Sequence, residues 1–192
     1  MKSLKFIKHT LKKELSKDRY QHTIRVAYTA MCLAMRYEED LERAQLAGLL
    51  HDCAKCIPND EKLKECKRKH IELSKEELEY PELIHAKLGS VLACDMYEVD
   101  DLEIISAIAK HTTGAPDMTM LEKIIYVADY IEPGRYKAEN LKELRSVAFQ
   151  DIDQCVYMIM RDTLGYLDKK GGTVDSMTKE AYDFYKKLCE NK

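Results

Sequence analysis

The sequence predicts an all-α helical bundle, and three observations carry that expectation. Apolar residues recur three and four positions apart along almost the whole chain, the spacing that lines one face of a helix. Capping residues precede these stretches, and proline or glycine follows several of them. No convincing strand, low-complexity segment or internal repeat interrupts the pattern, so helix packing against helix is the architecture left.

The elements follow in order. Leu4, Ile7, Leu11 and Leu15 mark a first amphipathic helix, and Val26, Ala30, Leu33, Ala34 and Tyr37 mark a second. Asp40 is placed to cap a third, which carries Leu41, Ala44, Ala47, Leu50 and His51 until Pro58-Asn59 breaks it and begins a lysine-rich one. Ser74-Lys75-Glu76-Glu77 has capping-box spacing, and Pro81 opens a turn before a helix from about Leu83 to Met96. Asp100 or Asp101 caps the next helix, which stops at His111-Thr112-Thr113-Gly114-Ala115-Pro116. Thr119-Met120-Leu121-Glu122 is a second capping box, opening a helix through Ile125, Ala128, Asp129 and Ile131 that Glu132-Pro133-Gly134 halts. Helices over roughly Ala138 to Phe149 and Asp151 to Lys169, a break at Gly171-Gly172 and a last helix from about Met177 to Cys189 complete the reading.

With 192 residues the chain can bury one good core, and a single domain over 1–192 is expected. Its 45% apolar and 34% charged residues suit a folded, water-soluble protein. No run of about 18 apolar residues is present, and lysines interrupt the N-terminal apolar positions too often for a signal peptide, so the expected address is the cytoplasm, with no membrane partner. The seven cysteines are scattered singly, which fits reduced thiols better than a disulfide framework. Cys53-Ala54-Lys55-Cys56 has no second pair at zinc-ribbon spacing and no preceding strand, so it is read as incidental. A net charge of −3 argues against a nucleic-acid polymer as partner, and the basic tract Lys62 to Lys69 reads as a solvated helix face.

Chemistry concentrates in His22, the doublet His51-Asp52, His85, His111 and Asp129. Each lies in or at the end of an expected helix, on or beside the apolar stripe. A carboxylate facing a core is costly unless paired or metal-bound, so something cationic belongs among these helices. Imidazole with carboxylate suits iron, manganese, cobalt or zinc, and suits calcium or magnesium poorly. Adjacent helical residues point about 100° apart, yet His51 and Asp52 can converge on an ion lying between their directions. His22 and Asp129 would reach it from two further helices.

In these residues the chain resembles the HD-domain superfamily and, within it, the YqeK-type symmetrical bis(5′-nucleosyl)-tetraphosphatases. The stretches that carry the resemblance are Tyr20 to Val26, Leu49 to Lys55, Leu83 to Gly89, Ala109 to Gly114 and Val127 to Arg135. The His-Asp doublet marks only the superfamily, whereas His-Thr-Thr-Gly with Ala-Asp-Tyr-Ile-Glu-Pro-Gly-Arg is narrower. The resemblance implies an HD-domain fold, hydrolysis of diadenosine tetraphosphate to two ADP, an iron-type metal, and a dinucleoside polyphosphate or ADP-like ligand. Val174-Asp175-Ser176-Met177-Thr178 stands where relatives often carry a proline-containing loop, which makes nucleotide contacts from Val174 and Thr178 less secure.

The expected metal ligands are therefore His22, His51, Asp52 and Asp129. His85 and His111 either complete a second metal site bridged by Asp52 or bind phosphate beside one ion, so one or two ions are open, with a lean toward one. A bound metal lowers the pKa of its water from near 16 toward about 7. Asp52 or Asp129 would orient that water, and Lys55, one turn beyond Asp52, would reach the polyphosphate. Arg25, Arg135 and the Thr112, Thr113 and Gly114 backbone are further candidates for substrate contact. Alternatives are an HD phosphohydrolase acting on another nucleotide and a non-catalytic nucleotide sensor. Oligomeric state is open, a homodimer being one option.

Overall fold

The computed structural model describes residues 1–138, 140–171 and 174–191, and among them the backbone forms eleven α-helices and no strand. In chain order these are α1 (Leu4–Glu14), α2 (Lys17–Tyr37), α3 (Leu41–Leu50), α4 (Asn59–Arg68), α5 (Lys75–Glu79), α6 (Ile84–Tyr97), α7 (Leu102–Lys110), α8 (Met120–Ile131), α9 (Leu141–Val147), α10 (Ile152–Lys170) and α11 (Ser176–Glu190), with a 3-10 turn at Pro81–Leu83 before α6. No helix among the described residues is long and apolar enough to cross a membrane.

Most helix starts follow from side chains that take up orphan backbone amides. Ser3, Ser16, Asp40 and Asp101 accept from amides of the first turns of α1, α2, α3 and α7. Both expected capping boxes form, Ser74 with Glu77 and Thr119 with Glu122. Two boundaries differ from the sequence expectation. Helix α3 ends at Leu50, well before Pro58, because residues 53–57 switch to tighter i→i−3 bonds, Cys53 N to Leu50 O at 3.1 Å and Lys55 N to Asp52 O at 2.9 Å. Helix α9 starts at Leu141 and not near Ala138, because Arg145 donates to the carbonyls of Ile131, Glu132 and Arg135 and ties the preceding segment into a loop. Gly171 closes α10 in the left-handed conformation, while Gly172 and Glu139 lie outside the described residues.

Helix α2 runs between α3 and α8, and α7 packs on α3, α6 and α8. Leu33, Leu49, Leu50, Ile84, Leu88, Ile108, Leu121, Ile124 and Ile125 fill the space between them. The α2–α3 contact is close because position 48 carries no side chain: a Cβ on Gly48 would lie 2.7 Å from Ala27 Cα. That approach brings His22, on α2, toward the residues that follow α3.

The incidental readings fit the packing. Cys53 is buried, with its thiol pushed up to about 12 by loss of solvent, whereas Cys56 is exposed. On the basic tract Lys64 pairs with Asp60, Arg68 with Glu65 and Lys69 with Asp95, but Lys62 departs from the expected solvated face, being buried with its ammonium donating to Asn59 Oδ1 at 3.0 Å.

Candidate metal centre

Five segments bring their polar side chains to one point. Helix α2 supplies His22, the turn after α3 supplies His51, Asp52 and Lys55, the start of α6 supplies His85, the end of α7 supplies His111, and α8 supplies Asp129. All four imidazoles and Asp52 are buried. Ring centroids of His22 and His51 are 5.5 Å apart, those of His51 and His111 5.0 Å, and those of His85 and His111 5.1 Å.

The tautomers follow from the partners of Nδ1. His51 Nδ1 lies 2.7 Å from Gly48 O, His111 Nδ1 2.7 Å from Ile108 O, and His85 Nδ1 2.6 Å from Glu82 O. A carbonyl oxygen can only accept, so each Nδ1 donates. His22 Nδ1 likewise donates to the buried Glu132 carboxylate at 3.1 Å. A neutral ring protonated at Nδ1 has its lone pair at Nε2, and all four Nε2 atoms point inward at carboxylate oxygens. His22 Nε2 is 2.9 Å from Asp129 Oδ1; His51 Nε2 is 3.3 Å from Asp52 Oδ2 and 3.9 Å from Asp129 Oδ1; His85 Nε2 is 3.3 Å from Asp52 Oδ1.

Acceptors therefore face acceptors. His22 Nε2, His51 Nε2 and Asp52 Oδ1 are buried with no hydrogen-bond partner, an arrangement whose desolvation cost is offset only by a cation. One donor atom each from His22, His51 and Asp129 lies within 4.8 Å of the others, and the same holds for His51, Asp52 and His111. Imidazole and carboxylate donors at such spacing, with the far ring nitrogens anchored by hydrogen bonds, fit a divalent transition metal. The cluster is a divalent-metal site.

Its electrostatics keep the two carboxylates ionised. Burial would raise the Asp129 carboxyl, but the adjoining His22 ring, the pull of His51 and the Arg135 guanidinium hold it below the usual carboxylate range. Asp52 is held low in the same way, by His51, His111 and His85 against the effect of burial. Burial lowers His51, yet its two aspartate neighbours bring it out above the ordinary value, so without a metal a proton is attracted to this ring. His85 is pushed down to about 4, chiefly by burial, and stays neutral.

His85 and His111 differ from the other two imidazoles in having donors at hand. Lys55 Nζ is 3.1 Å from His85 Nε2, and Thr112 Oγ1 is 3.1 Å from Nε2 of both rings. Lys55, His111 and Thr112 open on a cavity of about 330 Å3, lined also by Arg19, Tyr126, Asp129, Tyr130 and Arg135. Arg135 Nη2 donates to Asp129 Oδ1 at 3.1 Å.

Other candidate residues lie elsewhere. Arg25 points away from the cavity and donates to Glu132 Oε2 at 2.6 Å, behind His22. Thr113 donates to Gly114 O, and Gly114 takes a φ of 68° in a packed position beside Met160 and Tyr126. Val174 and Thr178 lie on the approach to α11 and its first turn, and neither they nor Thr113 and Gly114 line the cavity. Two residues escaped sequence reasoning. Arg19 donates to Asp52 Oδ2 at 2.7 Å, and Glu132 orients His22. Both were within reach of one signal, since Arg19 precedes His22 and Glu132 follows Asp129 by three residues, the spacing that puts side chains on one helix face.

Comparison with known proteins agrees with this geometry. The family model described as HD domain matches residues 19–134, a span that holds all six of these histidines and aspartates. A symmetrical bis(5′-nucleosyl)-tetraphosphatase of Bacillus subtilis is 38% identical over 91% of this chain and 92% of its own. The protein of the same name from Staphylococcus aureus is 35% identical over 93% and 92%. Among solved structures, a predicted HD superfamily hydrolase involved in NAD metabolism from Clostridium acetobutylicum superposes with a TM-score of 0.95 at 39% identity, covering 98% of this chain and 99% of its own.

Proposed function

Because the chain belongs to the HD domain family, we propose that it hydrolyses diadenosine tetraphosphate symmetrically, consuming one water and releasing two ADP, in the cytoplasm. The observation that carries the reading is the set of four inward Nε2 lone pairs meeting two carboxylates around a cavity rimmed by cations. The relatives named for this reaction align over nine-tenths of both chains, which supports the same substrate class here.

In this reading His22, His51, Asp52 and Asp129 hold one iron-type ion, with manganese, cobalt or zinc as substitutes. Bound there, the ion would supply an acidified water and a positive charge beside the attacked phosphate. The single-ion reading draws support from Lys55 and Thr112, whose donors occupy the side of the cluster where a second ion would lie. Lys55, its pKa lowered by burial against the pull of Asp52, sits in the cavity and meets the polyphosphate. Arg19 and Arg135 stand over Asp52 and Asp129 and turn to phosphoryl oxygens when substrate enters. His85 stays uncharged, and with His111 it turns acceptor Nε2 atoms toward Lys55 and Thr112, which places those two donors to position phosphate oxygens. Asp52 Oδ1, without a hydrogen-bond donor, is placed to accept a proton from the attacking water.

Separation of products after incubation with iron or manganese, beside a chelated control, tests the reading. ADP as sole product is the expected result. ATP with AMP would mean asymmetric cleavage, and no product above the control would favour a binding protein over an enzyme.

A further inference from the structure

The cavity at the metal centre does not end at Arg135. Beyond Tyr130, Arg135 and Thr163, which it shares, it runs into a larger groove of about 990 Å3 between the loop after α8 and the outer face of α10. The metal-side cavity is lined by ligands and cations, as a polyphosphate requires, while the groove has a different character. Tyr130, Tyr136 and Tyr166 present three aromatic rings there, and Arg161 and Lys169 stand among them. Tyr136 is 81% and Tyr166 59% exposed, so neither ring is held by the core. Each of the three rings carries a neighbouring cation about 6 Å from its centroid: Arg135 at Tyr130, Lys137 at Tyr136 and Lys170 at Tyr166.

We propose that this groove seats one nucleoside half of the substrate, with Tyr136 and Tyr166 stacking on the base and Arg135 marking the passage from phosphate to nucleoside. The inference rests on the dinucleoside polyphosphate reading above and adds to it where the base goes. The argument is one of chemical match. A site that cleaves the middle of a tetraphosphate must leave room on either side for a nucleoside, and a cavity of about 330 Å3 into which Arg19, Lys55, Arg135 and the metal-centre side chains project is matched to phosphates and leaves little space for a purine. The continuous groove offers ring faces, which stack on any base, beside cations that suit the electron-rich heterocycle and the adjoining phosphate. Because stacking is sequence-tolerant, the groove accepts adenine and guanine alike, so selectivity among dinucleoside polyphosphates is set by phosphate-chain length.

Tyr136→Ala and Tyr166→Ala test this without disturbing the core, both side chains being largely exposed. Each is expected to raise KM for diadenosine tetraphosphate about tenfold, with the double variant worse and the loss falling on KM more than on kcat. Inhibition by inorganic tripolyphosphate, which has no base, should keep its strength. The sequence contains no tryptophan, so Tyr136→Trp adds a single reporter whose emission ADP should quench and tripolyphosphate should not. Unchanged KM in both alanine variants, tripolyphosphate inhibition weakened in step with KM, or emission indifferent to ADP would each overturn the proposal. Failure of the hydrolytic reading looks different: wild-type protein would then release no ADP, and the ADP titration of the tryptophan variant would still decide the groove.

Discussion

At the scale of single residues, the site separates groups that hold a metal from groups that serve it. In the proposed assignment His51 is a ligand, its far nitrogen fixed by Gly48 O, so His51→Ala would remove a donor that nothing nearby can replace. The variant should lose both bound metal, read by elemental analysis, and hydrolysis; full turnover by metal-replete protein would refute the assignment. Lys55 is different, since it touches His85 and the cavity but offers no ligand to the ion. Lys55→Ala should retain metal and weaken substrate binding, appearing mainly as a higher KM in steady-state kinetics. Glu132 sits behind His22 and accepts from its Nδ1, from Arg25 and from the Gly134 amide at 2.5 Å. Partners of this kind fix a ligand's tautomer, and their loss commonly weakens metal binding about 10- to 100-fold. Glu132→Gln should therefore raise the dissociation constant for manganese by that factor while circular dichroism stays unchanged. A metal affinity equal to wild type would show that His22 needs no such support.

At the scale of elements, the centre depends on how closely α2 and α3 approach. A methyl on Gly48 would strike the Ala27 backbone, which cannot rotate aside as a flexible side chain could. Gly48→Ala should therefore cost about 1–3 kcal/mol of stability, as overpacking does, and should also weaken metal binding by moving His22 away from His51. Denaturant unfolding and metal titration of one preparation would check both; a stability loss with unaltered metal affinity would mean that the two helices can separate without disturbing the ligands. The caps behave more independently. They start α2, α3, α7 and α8 at set residues, and so determine which turn of each helix carries His22, His51, His111 and Asp129 into the cluster.

At the scale of the whole molecule, an ion held as proposed would join segments far apart in sequence, so its removal should be felt as stability. With free metal about 100-fold above its dissociation constant, linkage adds about 2.7 kcal/mol, or roughly 5–10 °C in Tm for a chain this long. The pH dependence has a definite sign. In metal-free protein the raised His51 pKa stabilises the fold while the ring is protonated, and that contribution is lost as pH rises through the folded value. Metal needs the same ring neutral, so its affinity grows over the same interval. Asp52 and Asp129, both held below the usual carboxylate range, are ionised throughout and contribute no slope near neutrality. The Tm difference between metal-loaded and chelated protein should accordingly widen from about pH 6 to about pH 8, where imidazoles titrate. A difference that shrinks over that interval in differential scanning would contradict the role given to His51.

By itself the sequence determined the helices, most of their starts, and the residue types gathered at the centre. Those features are local: a helix face is written in spacing of three and four, a cap in one side chain, and a metal-seeking set in histidines and aspartates that have no reason to lie on an apolar stripe. The early end of α3 and the late start of α9 were not legible, because both follow from hydrogen bonds made to other parts of the chain. The same holds for Arg25, which by spacing alone could face substrate or turn aside; only the arrival of Glu132 from α8 decided that it braces His22. The aromatic groove was likewise decided in three dimensions, since whether a ring lines a cavity depends on which distant helix closes its other wall.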